Sequence, residues 1–186
     1  IGPEPETIRL MGDKVSAREA MKEAGIPVVP GSTEALGADI AQSKAIAESL
    51  GYPVLIKAAA GGGGRGMKIV TKEEDLEELY NICQSEAQSF FGDPDVFIER
   101  YCVNPRHVEV QIAADEYGKI VHLGERDCSI QRRHQKLVEE TPSPYMTDKL
   151  REKMGKAAIK AAEAVKYEGV GTVEFLVDAN RDFYFM

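Results

Sequence analysis

The stretch YPVLIKAAAGGGGRGMKIV, Tyr52 to Val70, reads as strand, glycine loop, strand. Val54, Leu55 and Ile56 form a short apolar run that ends at Lys57. The loop Gly61, Gly62, Gly63, Gly64, Arg65 and Gly66 follows, and Met67 to Val70 is apolar and β-prone again. Consecutive glycines carry a heavy backbone-entropy cost, so a folded chain keeps them where it must bend tightly or approach something closely. Without side chains, several backbone N–H groups can turn towards one point, which makes a nest for an anion. Lys57 and Arg65 add positive charge, so the expected ligand is a polyphosphate. The plain alternative is a hairpin loop with an incidental lysine.

Gly61, Gly63 and Gly66 match G-x-G-x-x-G, and three known loops therefore compete. A dinucleotide fingerprint needs a helix to begin on the loop. Here the next helix is expected only at Thr71, where Thr71 and Glu74 have the spacing of a capping box. A P-loop ends in Gly-Lys-Ser/Thr, whereas this loop ends Gly-Met-Lys. The kinase flap also lies between two strands, but HRD and DFG sequences are absent. What remains is a nucleotide flap on a β-hairpin, with its lysine on the strand before the loop.

With 186 residues, 43% of them hydrophobic, the chain can bury a core in one large domain or two small ones. It starts on Ile1 rather than Met and ends on Met186 inside the apolar run FYFM, so a piece of a longer polypeptide is expected. No stretch approaches the ~20 apolar residues of a membrane-spanning helix, and no signal peptide is evident. Cys83, Cys102 and Cys128 are odd in number and lack C-x-x-C spacing, which argues for a reducing compartment and against a disulfide or zinc framework. A cytoplasmic location is expected, although an organellar targeting segment could precede this stretch. A net charge of −8 argues against general nucleic-acid binding.

Outward from the hairpin, the helical segments are Asp13 to Ala24, Ala41 to Leu50, about Glu73 to Ser89, and an amphipathic helix capped at Thr147 and stopped at Gly169. Strands are expected at Phe97–Glu99, along the alternation of His107, Glu109 and Gln111 with Val108, Val110 and Ile112, at Lys119–Gly124, and in a closing hairpin of Gly171–Asp178 with Asp182–Met186. The fold class is α+β. Residues 1–31 form a linker and helix, residues 32–102 a small lid domain, and residues 103–186 part of a second antiparallel domain over which the lid would close.

Three constellations could carry chemistry. In the strand Thr172–Val177, Glu174 shares a face with Thr172 and Leu176, and a carboxylate among apolar neighbours needs a cation. Mg²⁺ suits a nucleotide site, because it takes one or two carboxylates and completes its shell with phosphate and water. A salt bridge or a solvent-facing glutamate is the alternative. Gln131, Arg132, Arg133, His134, Gln135 and Lys136 concentrate donors suited to carboxylate, bicarbonate or phosphate within an acidic chain. A solvated charged loop is the other reading of that run. Glu99 to Cys102, followed by His107, forms the expected hinge, whose backbone could read an adenine edge. Lys14, in the first turn of a helix, is either a phosphate ligand or a solvated lysine.

Taken together, IGP-x-PETI-x-LMGDK, KAAAGGGGRGM, NPRHVE-x-Q and above all ERDCSIQRRHQKLVEE-x-P resemble the ATP-grasp family, and within it the biotin carboxylases. The likeness covers essentially the whole chain. It implies that Lys14 and Lys57 contact ATP phosphates, with Gly61, Gly62, Gly63, Gly64, Arg65, Gly66 and Met67 closing over them. It implies adenine and ribose contacts for Glu99 with the backbone of Arg100 and Cys102, a lining of the ribose and phosphate region by His107 and Gln131, Leu176 packed on adenine, and a place for His134 on the phosphate side. Lys136 would bind bicarbonate or the carboxyphosphate intermediate, and Glu174 would be one of two carboxylates on Mg²⁺ or Mn²⁺. The implied substrates are ATP, bicarbonate and biotin on a carrier domain. The implied partners are a carboxyltransferase, whether fused or separate, plus a second copy in a homodimer. Relative to that pattern the second metal carboxylate and the R-x-Q-V-E segment lie beyond Met186, so nucleotide binding is expected of this chain and turnover is not. A carbamoyl-phosphate synthetase-like ligase and a non-catalytic assembly domain are the competing functions.

Overall fold

Pro5, Asp13 and Asp39 explain where the first helices begin. Pro5 opens α1 (Pro5–Gly12), where its missing N–H costs nothing. Asp13 accepts a hydrogen bond from the Ser16 amide at the start of α2 (Lys14–Glu23). Asp39 does the same for Ala41 and Gln42 at the start of α3 (Ile40–Leu50). This computed structural model describes residues 2–37, 39–60, 66–133 and 135–186, and the side chain of Lys14 is outside that description. The candidate residues Gly61, Gly62, Gly63, Gly64, Arg65 and His134 therefore lie outside the described residues.

The chain forms two units, one of residues 29–101 and one of residues 1–28 with 102–186. In the first, β1 (Val54–Ala58) buries Val54, Ile56 and Ala58 and turns Leu55 and Lys57 to the opposite face. β2 (Met67–Val70) and β3 (Val96–Arg100) flank it antiparallel in the order β2-β1-β3. Between them runs α4 (Leu76–Phe91), whose Leu76, Tyr80, Cys83 and Ala87 are buried against Val54, Ile56, Val70, Val96 and Ile98. The expected capping box at Thr71 is not formed. A short 3₁₀ turn at Glu73–Asp75 precedes α4 without a side-chain cap. The helix proper starts at Leu76, where the fully buried apolar stripe begins, so packing rather than the cap chemistry sets its start.

In the second unit the sheet order is β6-β5-β4-β7-β8, antiparallel throughout. Its strands are β4 (Arg106–Ala114), β5 (Ile120–Arg132), β6 (Gln135–Glu140), β7 (Gly169–Val177) and β8 (Phe183–Phe185). Helix α5 (Asp148–Ala164) is capped by Thr147 and buries Leu150, Met154, Ala158, Ala161 and Ala162. These join Met21, Ile26, Val108, Val110, Ile112, Val173, Phe175 and Val177 in one core. Two expectations change here. The strand expected to end at Gly124 continues instead as β5 through Arg132, and the run 131–136, read as a charged loop, lies in a long hairpin of β5 with β6. Every β6 residue is exposed, so the apolar alternation that marks half-buried strands is missing. The last helix ends at Ala164, several residues before the expected stop at Gly169.

The α+β class with antiparallel sheets is as expected. Among the described residues, no helix is long and apolar enough to cross a membrane.

Candidate functional site

The face of the second sheet opposite α5 carries the charged residues. Antiparallel register sets Glu109 of β4 directly between Arg126 of β5 and Glu174 of β7. Like charges placed opposite each other on a sheet repel, so Glu109 and Glu174 need a cation to share. Lys136 of β6 provides it: its Nζ donates to Glu109 Oε2 at 2.5 Å and to Glu174 Oε1 at 2.6 Å. Arg126 holds the other oxygen of Glu109, with Nε donating to Oε1 at 2.5 Å and its terminal nitrogen Nη2 also on Oε1. Its Nη1 donates to Gln111 Oε1 at 2.8 Å.

Protonation follows from this arrangement. Burial would push the Glu109 carboxyl up, but the hydrogen bonds and charges of Lys136 and Arg126 outweigh it and hold the group below its ordinary value. For Lys136, burial favours the neutral amine, yet Glu109 and Glu174 raise its pKa well above the usual lysine range. Lys136 is thus a fixed ammonium across neutral pH, a donor and not a base. The His107 imidazole and the Lys136 ammonium bring Glu174 down to about 2 against the effect of burial. His107 Nε2 stands 3.5 Å from Glu174 Oε1, long for a hydrogen bond, so Lys136 is the stronger partner by distance.

Gln131 sets the His107 tautomer. Its side-chain nitrogen donates to the Cys128 carbonyl at 2.8 Å and faces His107 Nδ1 at 2.6 Å. Since Nδ1 accepts, the proton of a neutral ring lies on the buried Nε2, aimed towards Glu174. Leu176 lies on the same face, paired across the strands with His107. Burial pushes the Cys128 thiol up to about 11, which leaves it an inert group beside Glu109 and Glu139.

In the first unit, Lys57 Nζ meets Glu99 Oε1 at 2.6 Å. Both project from the sheet face opposite α4, since Leu55 pairs with Glu99 and Lys57 with Phe97. Met67 sits opposite Lys57 on β2. At the end of the glycine loop, the Gly66 carbonyl accepts from the Ala58 amide at 2.8 Å and from the Cys83 thiol at 3.1 Å. The Arg100 amide donates to the Pro30 carbonyl, and Cys102 opens the second unit.

Of the sequence candidates, the structure brings together Lys57, Glu99 and Met67 in one unit, and His107, Gln131, Lys136, Glu174 and Leu176 in the other. Glu109 and Arg126 were not among the expected site residues. A signal for Glu109 was present, because it falls between His107 and Gln111 on the polar side of an alternating strand. Arg126 had none, as its strand was expected to end at Gly124.

Residues 13–186 match the family described as carbamoyl-phosphate synthase L chain, ATP binding domain. A biotin carboxylase from Nostoc sp. is 55% identical over all 186 residues, which cover 41% of that protein. The chain belongs to the ATP-grasp family, as a domain of the biotin carboxylase kind. One of the pyruvate carboxylase subunits of Methanothermobacter thermautotrophicus is likewise 55% identical over the full chain, which covers 38% of it. This ATP-grasp domain also superimposes on a Campylobacter jejuni biotin carboxylase–βγ-ATP complex with a TM-score of 0.91, 54% identity and coverage of 99% of the chain and 41% of that structure. The biotin carboxylase domain of Hydrogenobacter thermophilus 2-oxoglutarate carboxylase, solved with MgADP, ADP and bicarbonate, gives a TM-score of 0.90 at 49% identity, with 99% and 40% covered. The domain therefore spans about two-fifths of the length of such relatives.

Proposed function

We propose that the chain is the ATP-binding part of an enzyme that carboxylates biotin at the expense of ATP and bicarbonate. The observation that carries this reading is Lys136, a permanent ammonium held between two ionised carboxylates on an open sheet face. A fixed cation and donor of this kind stabilises an anionic reactant without exchanging protons with it. Bicarbonate attacks the γ-phosphorus of ATP and displaces ADP. The carboxyphosphate formed splits into CO₂ and phosphate, and the CO₂ joins the ureido nitrogen of biotin as that nitrogen gives up its proton to the phosphate. Phosphoryl transfer depends chiefly on positioning and charge stabilisation, and the roles follow from that. Lys57 and Lys14 bind phosphate together with Gly61, Gly62, Gly63, Gly64, Arg65, Gly66 and Met67, and His134 lies on the phosphate side. Glu99, the backbone of Arg100 and Cys102, and Leu176 hold the nucleoside, and His107 and Gln131 line the ribose and phosphate region. Lys136 orients bicarbonate or carboxyphosphate.

Mg²⁺ or Mn²⁺ fits Glu174. The carboxylate stays ionised down to pH about 2, and its contacts among the described residues run through Oε1, so Oε2 can ligate a hard cation. When bound, such an ion neutralises phosphate charge. The Glu109, Cys128 and Glu139 group does not suit it, because Glu109 already carries two cations and the thiol is protonated. The similarity to domains solved with MgADP and bicarbonate supports the substrate assignment. The likeness to parts of larger carboxylases supports a biotin carrier, a carboxyltransferase and a homodimer as partners.

The test is ATP cleavage by a polypeptide of the relatives' full length, assayed with bicarbonate, with and without free biotin. Stimulation by biotin is expected. Bicarbonate-dependent cleavage that biotin leaves unchanged would favour the carbamoyl-phosphate type, which the name of the matching family model keeps in view.

A further inference from the structure

Asp127 takes no part in the proposed reaction, and it sits where a charge is costly. It is 5% exposed, and the register of β4 with β5 pairs it with Val108 of the apolar core. A carboxylate in such a place must be hydrogen-bonded. Its Oδ1 accepts from the Ser129 amide at 3.0 Å and from the Ser129 hydroxyl at 2.5 Å, while Oδ2 accepts from the Ser143 hydroxyl at 2.9 Å. Burial would raise this carboxyl, but those bonds and the Arg106 charge outweigh it and hold the group below its ordinary value.

The carboxylate decides what the Ser129 hydroxyl can do. A serine hydroxyl has one proton and two lone pairs. With the proton committed to Asp127, Oγ presents a lone pair, and the His107 amide donates to it at 3.0 Å. His107 lies just outside the paired register of β4 with β5, which ends at Val108 and Asp127, so this side-chain contact ties it to β5. Its ring is held from the same stretch, since Gln131 Nε2 sits 2.6 Å from Nδ1 and donates to the Cys128 carbonyl. Between Asp127 and Ile130 the register of β5 with β6 shifts, so the shape of this stretch draws on side-chain contacts.

We infer that Asp127 is a positioning residue for His107: it orients the Ser129 hydroxyl, which holds the His107 backbone where the imidazole can line the ribose and phosphate region. The role at the nucleotide rests on the function proposed above; the hold on His107 does not.

Amide hydrogen exchange, followed by NMR on the folded 186-residue chain, reads the His107 N–H directly. Asp127→Ala and Ser129→Ala should each speed its exchange by roughly tenfold, the effect of losing one hydrogen bond fixed by a charge. Combining the two should add little, because both cut the same path. Asp127→Asn keeps a carbonyl oxygen for Ser129 and should leave the exchange near the parental rate. Ser143→Ala removes only the Oδ2 contact and should leave it unchanged. If Asp127 merely anchored the segment around Ser143, Ser143→Ala would free His107 as much as Asp127→Ala does. General loosening would speed the Val110 and Ile112 amides equally. Either of those results, a His107 amide unprotected in the parent, or one that the Asp127 and Ser129 variants leave unchanged would overturn the inference. Should Asp127→Ala miss the native circular dichroism spectrum, Ser129→Ala carries the test.

Calorimetry adds the nucleotide arm. ATP should bind Asp127→Ala and Ser129→Ala roughly threefold to tenfold more weakly than it binds the parent or Ser143→Ala. Unchanged ATP affinity in variants whose His107 amide is freed would overturn the positioning role. A parent that binds no ATP would instead refute the nucleotide reading, with the exchange result still deciding the hold on His107.

Discussion

Lys136 and Glu174 meet at 2.6 Å although two other strands, β5 and β4, lie between theirs. The long lysine side chain crosses the open face over Glu109 and joins β6 to β7. This contact ties the edge hairpin to β7, on the far side of the central strand β4. It also ties the ionisation of Glu174 to the position of Lys136.

Glu174 should make stability depend on acid. Its folded pKa of about 2 lies below the ordinary glutamate value of 4.5. The stabilisation is therefore present above pH 4.5 and is lost as pH falls towards 2. We discount its size for partial exposure, to on the order of 1 kcal/mol. Urea melts of the parent and Glu174→Gln should differ at pH 7 and converge below the normal carboxyl range. A gap that stays constant down to pH 3 would contradict this.

Lys57 is expected to bind phosphate next to the glycine loop. Lys57→Ala should weaken ATP by roughly 1.5–3 kcal/mol, the scale of a hydrogen bond to a charged group. Isothermal titration calorimetry measures this directly. An unchanged Kd would remove Lys57 from the site.

Gly31 has no room for a side chain. A Cβ there would lie 2.6 Å from the Ile98 carbonyl oxygen and 2.9 Å from Glu99 Cγ. Backbone cannot swing aside as a flexible side chain can, so Gly31→Ala should cost about 1–3 kcal/mol. At this chain length that lowers Tm by ~2–4 °C per kcal/mol. Gly37→Ala, where a Cβ meets nothing within 4 Å, is the control. Equal melting temperatures for the two variants would show that the Gly31 contact relaxes freely.

Thiol titration should separate the cysteines. Burial raises both Cys83 and Cys128 to about 11, and both are fully buried, while Cys102 is partly exposed. Because the thiolate is the reactive form, Ellman's reagent at pH 8 should find a single fast thiol in the native chain and all three, Cys83, Cys102 and Cys128, in denaturant. Rapid loss of two or more native thiols would contradict the burial.

Much of this was legible in particular residues. The alternation in β4, the apolar runs either side of the glycine loop and the Thr147 cap each announce their element, because burial on one face leaves a period that sequence displays. The run ERDCSIQRRHQKLVEE marked the kind of ATP-grasp domain. The same run hid its structure: β6 is an exposed strand without an apolar face, so no periodicity distinguished it from a loop. The start of α4 also escaped, since a local cap signal lost to the tertiary burial of Leu76.

By itself, then, the sequence determined the α+β class, the glycine hairpin with Lys57 at its edge, and the identities of most candidate ligands. These are local matters of backbone freedom, hydrophobic period and residue chemistry. Only the tertiary structure decided that Arg126, Glu109, Lys136 and Glu174 form one alternating row of charges. That row draws on four strands, β5, β4, β6 and β7. Strand register over long sequence separations, not spacing along the chain, sets which oxygen faces which nitrogen.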